Sequence, residues 1–95
     1  MKRINVEDYP VEDGLKYEVK RSIITVLFHP ELKLGAYDTL KANKVAEKVE
    51  RAEGTVLLED AEYELVKRGL DVTTSFSRND VTFIKRILEA EDVSV

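Results

Sequence analysis

The amino-acid sequence predicts an α+β fold, an N-terminal β-hairpin packed on three to four short α-helices, over a single domain spanning residues 1-95. Three observations predict it. Residues 3 to 19 read as extended chain around an Asp13-Gly14 turn signal. Beyond them, apolar residues recur at three- and four-residue spacing, the period of a helix with one buried face. Hydrophobic residues make up 43% and charged residues 36% of the chain, enough apolar matter for one core and too much for a disordered polymer. A chain of 95 residues buries somewhat over ~60% of its unfolded surface, which leaves little room for a deep, pre-organised site.

In the hairpin region Ile4 and Val6 alternate with polar neighbours, and Leu15, Tyr17 and Val19 alternate after the turn. Pro10 has no amide hydrogen to give to a ladder and belongs at an edge or a bend. The segment Val19–Phe28 supports two readings. Val19, Ile23, Val26 and Leu27 share one helical face, while the crowd of Val, Ile and Thr suits a strand. The spacing favours a helix, and Pro30 should end it by restricting His29.

A longer helix is expected from about Leu34 to Ala52, with Gly54 just past its end. Its apolar stripe holds Leu34, Val45, Val49 and Ala52, with Ala42 and Tyr37 at the margins. A third helix is expected from about Asp60 to Gly69, with Leu58, Ala61, Leu65 and Val66 as its stripe. Glu59, Asp60 and Glu62 at its start and Lys67 and Arg68 at its end complement the helix dipole. The connection Asp71–Phe76 reads as extended. Ser77 and Asp80 have the spacing of a capping box, and Phe76 with Val81 that of a hydrophobic staple. Val81, Ile84, Ile87 and Leu88 then form the expected buried stripe of the last helix.

The run from Asn43 to Tyr63 contains Ala52-Glu53-Gly54 at a helix end and Leu58-Glu59-Asp60-Ala61-Glu62 at the next helix start. With the Asp13-Gly14 hairpin before it and an apolar helix after it, this layout resembles small uncharacterised proteins encoded by phages and prophages. The resemblance covers nearly the whole chain. It implies a phage accessory or small virion-associated protein, and it brings no activity and no functional residue with it.

Composition narrows the function classes. The formal net charge is -4, which disfavours broad binding to nucleic acid or anionic membranes. There is no cysteine, so disulfides and thiolate metal sites are excluded. The N-terminal residues lack the apolar core of a signal peptide, and no stretch approaches the ~20 apolar residues of a membrane span. The expected location is therefore cytoplasmic, meaning the host cytoplasm or the virion for a phage protein.

His29 is the only histidine, and His29-Pro30-Glu31 reads as a loop turn rather than a metal or triad site. The acidic pairs Glu7-Asp8, Glu12-Asp13, Glu59-Asp60 and Glu91-Asp92 lack calcium-loop spacing and read as caps and solvated turns. Asp38, projecting near the apolar stripe of the long helix, reads as a first-turn acid meeting free amides. No glycine-rich phosphate loop, nucleophile elbow or HExxH helix is present. The expectation is a protein that is not an enzyme and uses no cofactor and no metal.

Two faces of the long helix remain as candidates. Leu40 points away from the buried stripe, with Ala36 near it and Tyr37 at its border, and this small apolar patch suits a protein interface. The partner is then another protein or a second copy of the chain in a homo-oligomer. The alternative is a nucleic-acid accessory factor that contacts phosphates through a basic ridge of Lys41, Lys44, Lys48 and Arg51. Interleaved Glu47, Glu50 and Glu53 and the absence of a placed aromatic platform make nucleic acid the weaker expectation.

Overall fold

The computed structural model describes residues 1–94. In chain order it contains β1 (Lys2–Asn5), β2 (Tyr9–Pro10), β3 (Lys16–Tyr17), α1 (Val19–Leu27), α2 (Ala36–Arg51), β4 (Thr55–Leu58), α3 (Asp60–Val72), α4 (Val81–Leu88) and β5 (Glu91–Asp92). Single 3-10 turns lie at Glu12–Gly14, Pro30–Leu32 and Arg78–Asp80. The architecture is α+β, as the sequence predicts, with two small antiparallel sheets beside four helices.

The hairpin is β2 and β3, which pair Tyr9 with Tyr17 and Pro10 with Lys16. Its turn uses positive φ at both Asp13 and Gly14, the backbone that Asp-Gly tolerates best. Ile4 and Val6 do not belong to it. Ile4 lies in β1, the centre of a separate sheet of order β4-β1-β5. β1 pairs antiparallel with β4, Ile4 opposite Val56, and with β5, Arg3 opposite Glu91.

Val19 to Leu27 is helical, and all four apolar positions of the expected face are buried. Its first amide, Val19 N–H, donates to the Asp8 carboxylate at 3.1 Å. The helix stops at Leu27, and the His29 backbone is extended before Pro30. α2 begins at Ala36 rather than Leu34, and its buried face is Ala42, Val45, Ala46 and Val49. Leu34 and Ala52 flank the helix, half-buried against the core, while Tyr37 stands in solvent.

α3 does not end at Gly69 but runs on to Val72, so Asp71 and Val72 are helical and the link to Ser77 forms no strand. Gly69 is instead the point where α3 crosses α1 at close range. The buried residues of α3 are Tyr63, Leu65, Val66, Gly69 and Leu70; Ala61 is exposed and Leu58 belongs to β4. A capping box of Glu59 and Glu62 starts the helix.

The Ser77 signal does mark the start of the last helical segment. Ser77 N–H and its hydroxyl donate to Asp80 Oδ2 at 2.7 and 3.1 Å, and one 3-10 turn leads into α4. The stripe is corrected, however. Phe76 and Val81 are both exposed, as is Leu88, and the buried residues of α4 are Phe83 and Ile87 with Ile84 partly covered. Turning Phe83 inward brings it under the hairpin, whose Tyr17 ring lies 5.6 Å from it. The Tyr63 hydroxyl ties α3 to α4 by donating to the Ile87 carbonyl at 2.6 Å in the interior.

Candidate interaction surface

α2 has one buried face and one free one. On the free side Tyr37 is 85% and Leu40 63% exposed, and Ala36 is exposed with them. A hollow of about 410 Å³ is lined by Tyr37, Leu40, Lys41, Asn43, Lys44 and Glu47. A second, of about 190 Å³, lies between α2 and the start of α3, lined by Lys41, Lys44, Glu59, Ala61, Glu62 and Leu65. Lys41 and Lys44 form the wall shared by both. Ala36, Tyr37 and Leu40 are thus all exposed on α2, and the larger hollow takes in Tyr37 and Leu40.

The basic ridge divides. Lys48 Nζ is 2.7 Å from Glu62 Oε1, and Arg51 is 3.2 Å from Glu47 Oε2. Among the described residues Lys41 and Lys44 have no salt-bridge partner. Half of the ridge is therefore neutralised by carboxylates one turn or one helix away, and the free charge sits beside Leu40. Asn43 also donates to Glu47 at 2.9 Å.

The other sequence candidates resolve into local structure. His29 Nδ1 accepts from the Glu31 N–H at 3.1 Å, capping the Pro30–Leu32 turn. Asp38 is half-buried in the first turn of α2. Asp8 accepts at the start of α1, Glu59 caps α3, and Glu91 and Asp92 pair with Arg3 and Lys2. Among the described residues, no three His, Cys, Asp or Glu side chains gather into a metal-holding group, and no helix is long and apolar enough to cross a membrane.

Two features escaped the sequence reading. One is a cleft of about 240 Å³ lined by Tyr17, Ser22, Thr25, Thr73, Thr74 and Ser75 together with Val26, Phe76, Asp80 and Phe83. Its polar groups are largely committed. Ser22, Thr25 and Thr73 donate back to carbonyls four residues earlier, and Tyr17 donates to Asp80 Oδ1 at 2.5 Å. Burial raises the Tyr17 phenol well above its ordinary range, and the bond to Asp80 pushes it further. Burial alone would raise the Asp80 carboxyl, but the bonds from Tyr17 and Ser77 outweigh it and hold Asp80 below the usual carboxylate range. This pair fastens the hairpin to α4. Tyr9 adds to it, stacked on Tyr17 at 4.7 Å and accepting from the Phe83 N–H at 3.2 Å.

The other feature is the outer edge of β4, beside a groove of about 430 Å³ lined by Lys48, Arg51, Ala52, Thr55, Val56 and Leu57. Only Thr-Val-Leu-Leu, four residues with β-forming character at its start, signals it in the sequence.

No family model matches the chain, and neither a curated protein nor a solved structure matches it.

Proposed function

We propose that the protein is a non-enzymatic interaction protein that docks another protein on the N-terminal half of α2. The observation that carries this is the exposure of Tyr37 and Leu40 side by side, flanked by Lys41 and Lys44 with no ion pair of their own. Tyrosine supplies a large, stiff contact area, and apolar patches ringed by charge are a recurring form of protein interface. The complementary partner surface carries an apolar side chain between carboxylates. The resemblance of the sequence layout to small phage and prophage proteins supports an accessory or virion-associated role, exercised in the host cytoplasm or the virion. The alternative reading, phosphate contact along the ridge, has less support because Lys48 and Arg51 are already paired with Glu62 and Glu47.

The test compares what wild-type protein captures from its native cells with what Leu40→Glu and Tyr37→Ala capture. Leu15→Glu, at an exposed leucine in the hairpin turn, serves as control. A partner retained by wild type and Leu15→Glu, and lost by both α2 variants, is the expected result. Identical captures by all four proteins would overturn the reading.

A further inference from the structure

The patch of Tyr37 and Leu40 suits an apolar side chain set beside carboxylates, and the chain carries one at the tip of its own hairpin. Leu15 is 64% exposed, as open as Leu40 at 63%. It follows Glu12 and Asp13, neither of which has a salt-bridge partner among the described residues. Lys16 is the one base next to these two acids. The other exposed apolar side chains lack that setting. Phe28 and Phe76 have no acid within two positions, and Leu88 shares its turn with Lys85 and Arg86. The acids closest to Val81 and Leu57, Asp80 and Glu59, are taken up in helix caps.

The turn holds Leu15 in place. Val11 N–H donates to the Leu15 carbonyl at 2.9 Å, and Leu15 N–H donates to the Glu12 carbonyl at 3.3 Å. The stacked Tyr9 and Tyr17 rings and the Tyr17–Asp80 bond fasten the hairpin to the body of the fold. A loop already held in one shape gives up little conformational freedom on docking. Within one chain both surfaces stay open, and the hollow beside Leu40 is not lined by its own hairpin.

We propose that the hairpin turn of a second copy covers the α2 patch, with Leu15 entering the hollow beside Tyr37 and Leu40 while Glu12 and Asp13 meet Lys41 and Lys44. This rests on the reading of that patch as a docking surface and adds its regulation: copies cover one another at high concentration and leave the patch free for another protein on dilution. Charge selects this occupant. The chain is acidic overall, with a net charge of -4, yet the patch presents two lysines without ion pairs, because Glu47 in the wall of the hollow is taken up by Arg51 and Asn43. Glu12 and Asp13 are unpaired too, so docking breaks no ion pair on either side. One turn against one helix face buries less than the roughly 1,200–2,000 Å² of a stable complex, so the contact is weak and reversible. Hairpin and patch are different surfaces, and every copy offers both halves of the contact.

Size exclusion with light scattering on the whole chain, over a rising concentration series, tests the proposal. The wild-type mass should climb above the 10.9 kDa of one chain and fall back with added salt. Leu15→Glu and Leu40→Glu, both at exposed positions, should each stay monomeric with unchanged circular dichroism. Mixed together they should associate one to one, because Leu40→Glu still supplies a hairpin and Leu15→Glu still supplies a patch. Glu12→Lys and Lys41→Glu should each associate more weakly than wild type, and mixing the two should restore the contact. A wild type that stays monomeric throughout would overturn the self-docking. So would association that survives Leu15→Glu, or a mixture of the two leucine variants that stays monomeric. None of these results touches the capture of another protein by α2, which fails only if the α2 variants capture what wild type does.

Discussion

Gly69 of α3 lies against the main-chain carbonyl of Val26 in α1, so near that a methyl group at Gly69 would stand 2.1 Å from that oxygen. The two helices can cross this closely only because residue 69 has no side chain. In an exposed helix, glycine to alanine stabilises by roughly 1 kcal/mol. Here the sign reverses, because backbone rather than a flexible side chain is in the way. Gly69→Ala should destabilise by roughly 3 kcal/mol, the upper part of the range for overpacking, read as a lower urea midpoint at unchanged slope. A neutral result would mean that α1 and α3 separate at little cost.

The last helix makes a contrast that melts can read. Phe83→Ala empties a site that is only 1% exposed and should cost about 3–5 kcal/mol. Phe76→Ala removes a ring that is more than a third exposed and should cost about 1 kcal/mol. Ser77→Ala removes one of the two donors to Asp80 and should also cost about 1 kcal/mol. Equal losses at Phe76 and Phe83 would contradict the inward assignment of Phe83.

The Tyr17–Asp80 bond should give stability a pH dependence at both ends. The Asp80 carboxyl is depressed in the folded chain, so its contribution is complete above the ordinary carboxylate range, near pKa ~3.9, and is lost as pH falls through the folded value. The Tyr17 phenol is raised, so its contribution is complete below its ordinary pKa of about 10. It declines as pH rises above that, because the unfolded chain releases its proton first. Tyr17→Phe should cost about 1 kcal/mol at neutral pH, a charged-acceptor bond discounted for partial exposure. It should also flatten the stability curve below pH ~4 and above pH ~10. A variant as pH-sensitive as wild type at both limits would remove the pair as the cause.

Fluorescence anisotropy should show no salt-sensitive binding of random duplex or single-stranded DNA at micromolar protein near physiological salt. Lys44→Glu combined with Lys48→Glu should change nothing. Binding that weakens steeply with salt, and that this double substitution abolishes, would favour the ridge as a phosphate contact.

What was legible in the sequence was what local periodicity encodes. The four apolar positions of α1 share one helical face whatever surrounds them, and Asp13-Gly14 specifies its turn through its own backbone freedom. The outward direction of Leu40 was readable for the same reason. β4 and β5 were not legible, because long-range pairing creates them. Leu58 fits the helical stripe of α3 by its spacing, and Glu91-Asp92 carries no apolar signal at all. Gly69 has the sequence signature of a helix stop, because nothing local tells a terminating glycine from one at a helix crossing.

The position of β1 at the centre of its sheet also governs the order in which the chain acquires structure. β1 is the first strand of the sequence, but Arg3 finds Glu91 only 88 residues later, and its other neighbour, β4, begins at Thr55. Both ladders must close long loops before any pairing energy is gained. The hairpin lies close to α1 in sequence, but the Tyr17–Asp80 bond and the Phe83 ring that hold it come from the segment around α4. β1 therefore has no neighbour within its own sheet until the chain beyond the turn at Gly54 is in place. β5, the last of the three strands along the sequence, closes the other flank of that sheet with its acidic pair.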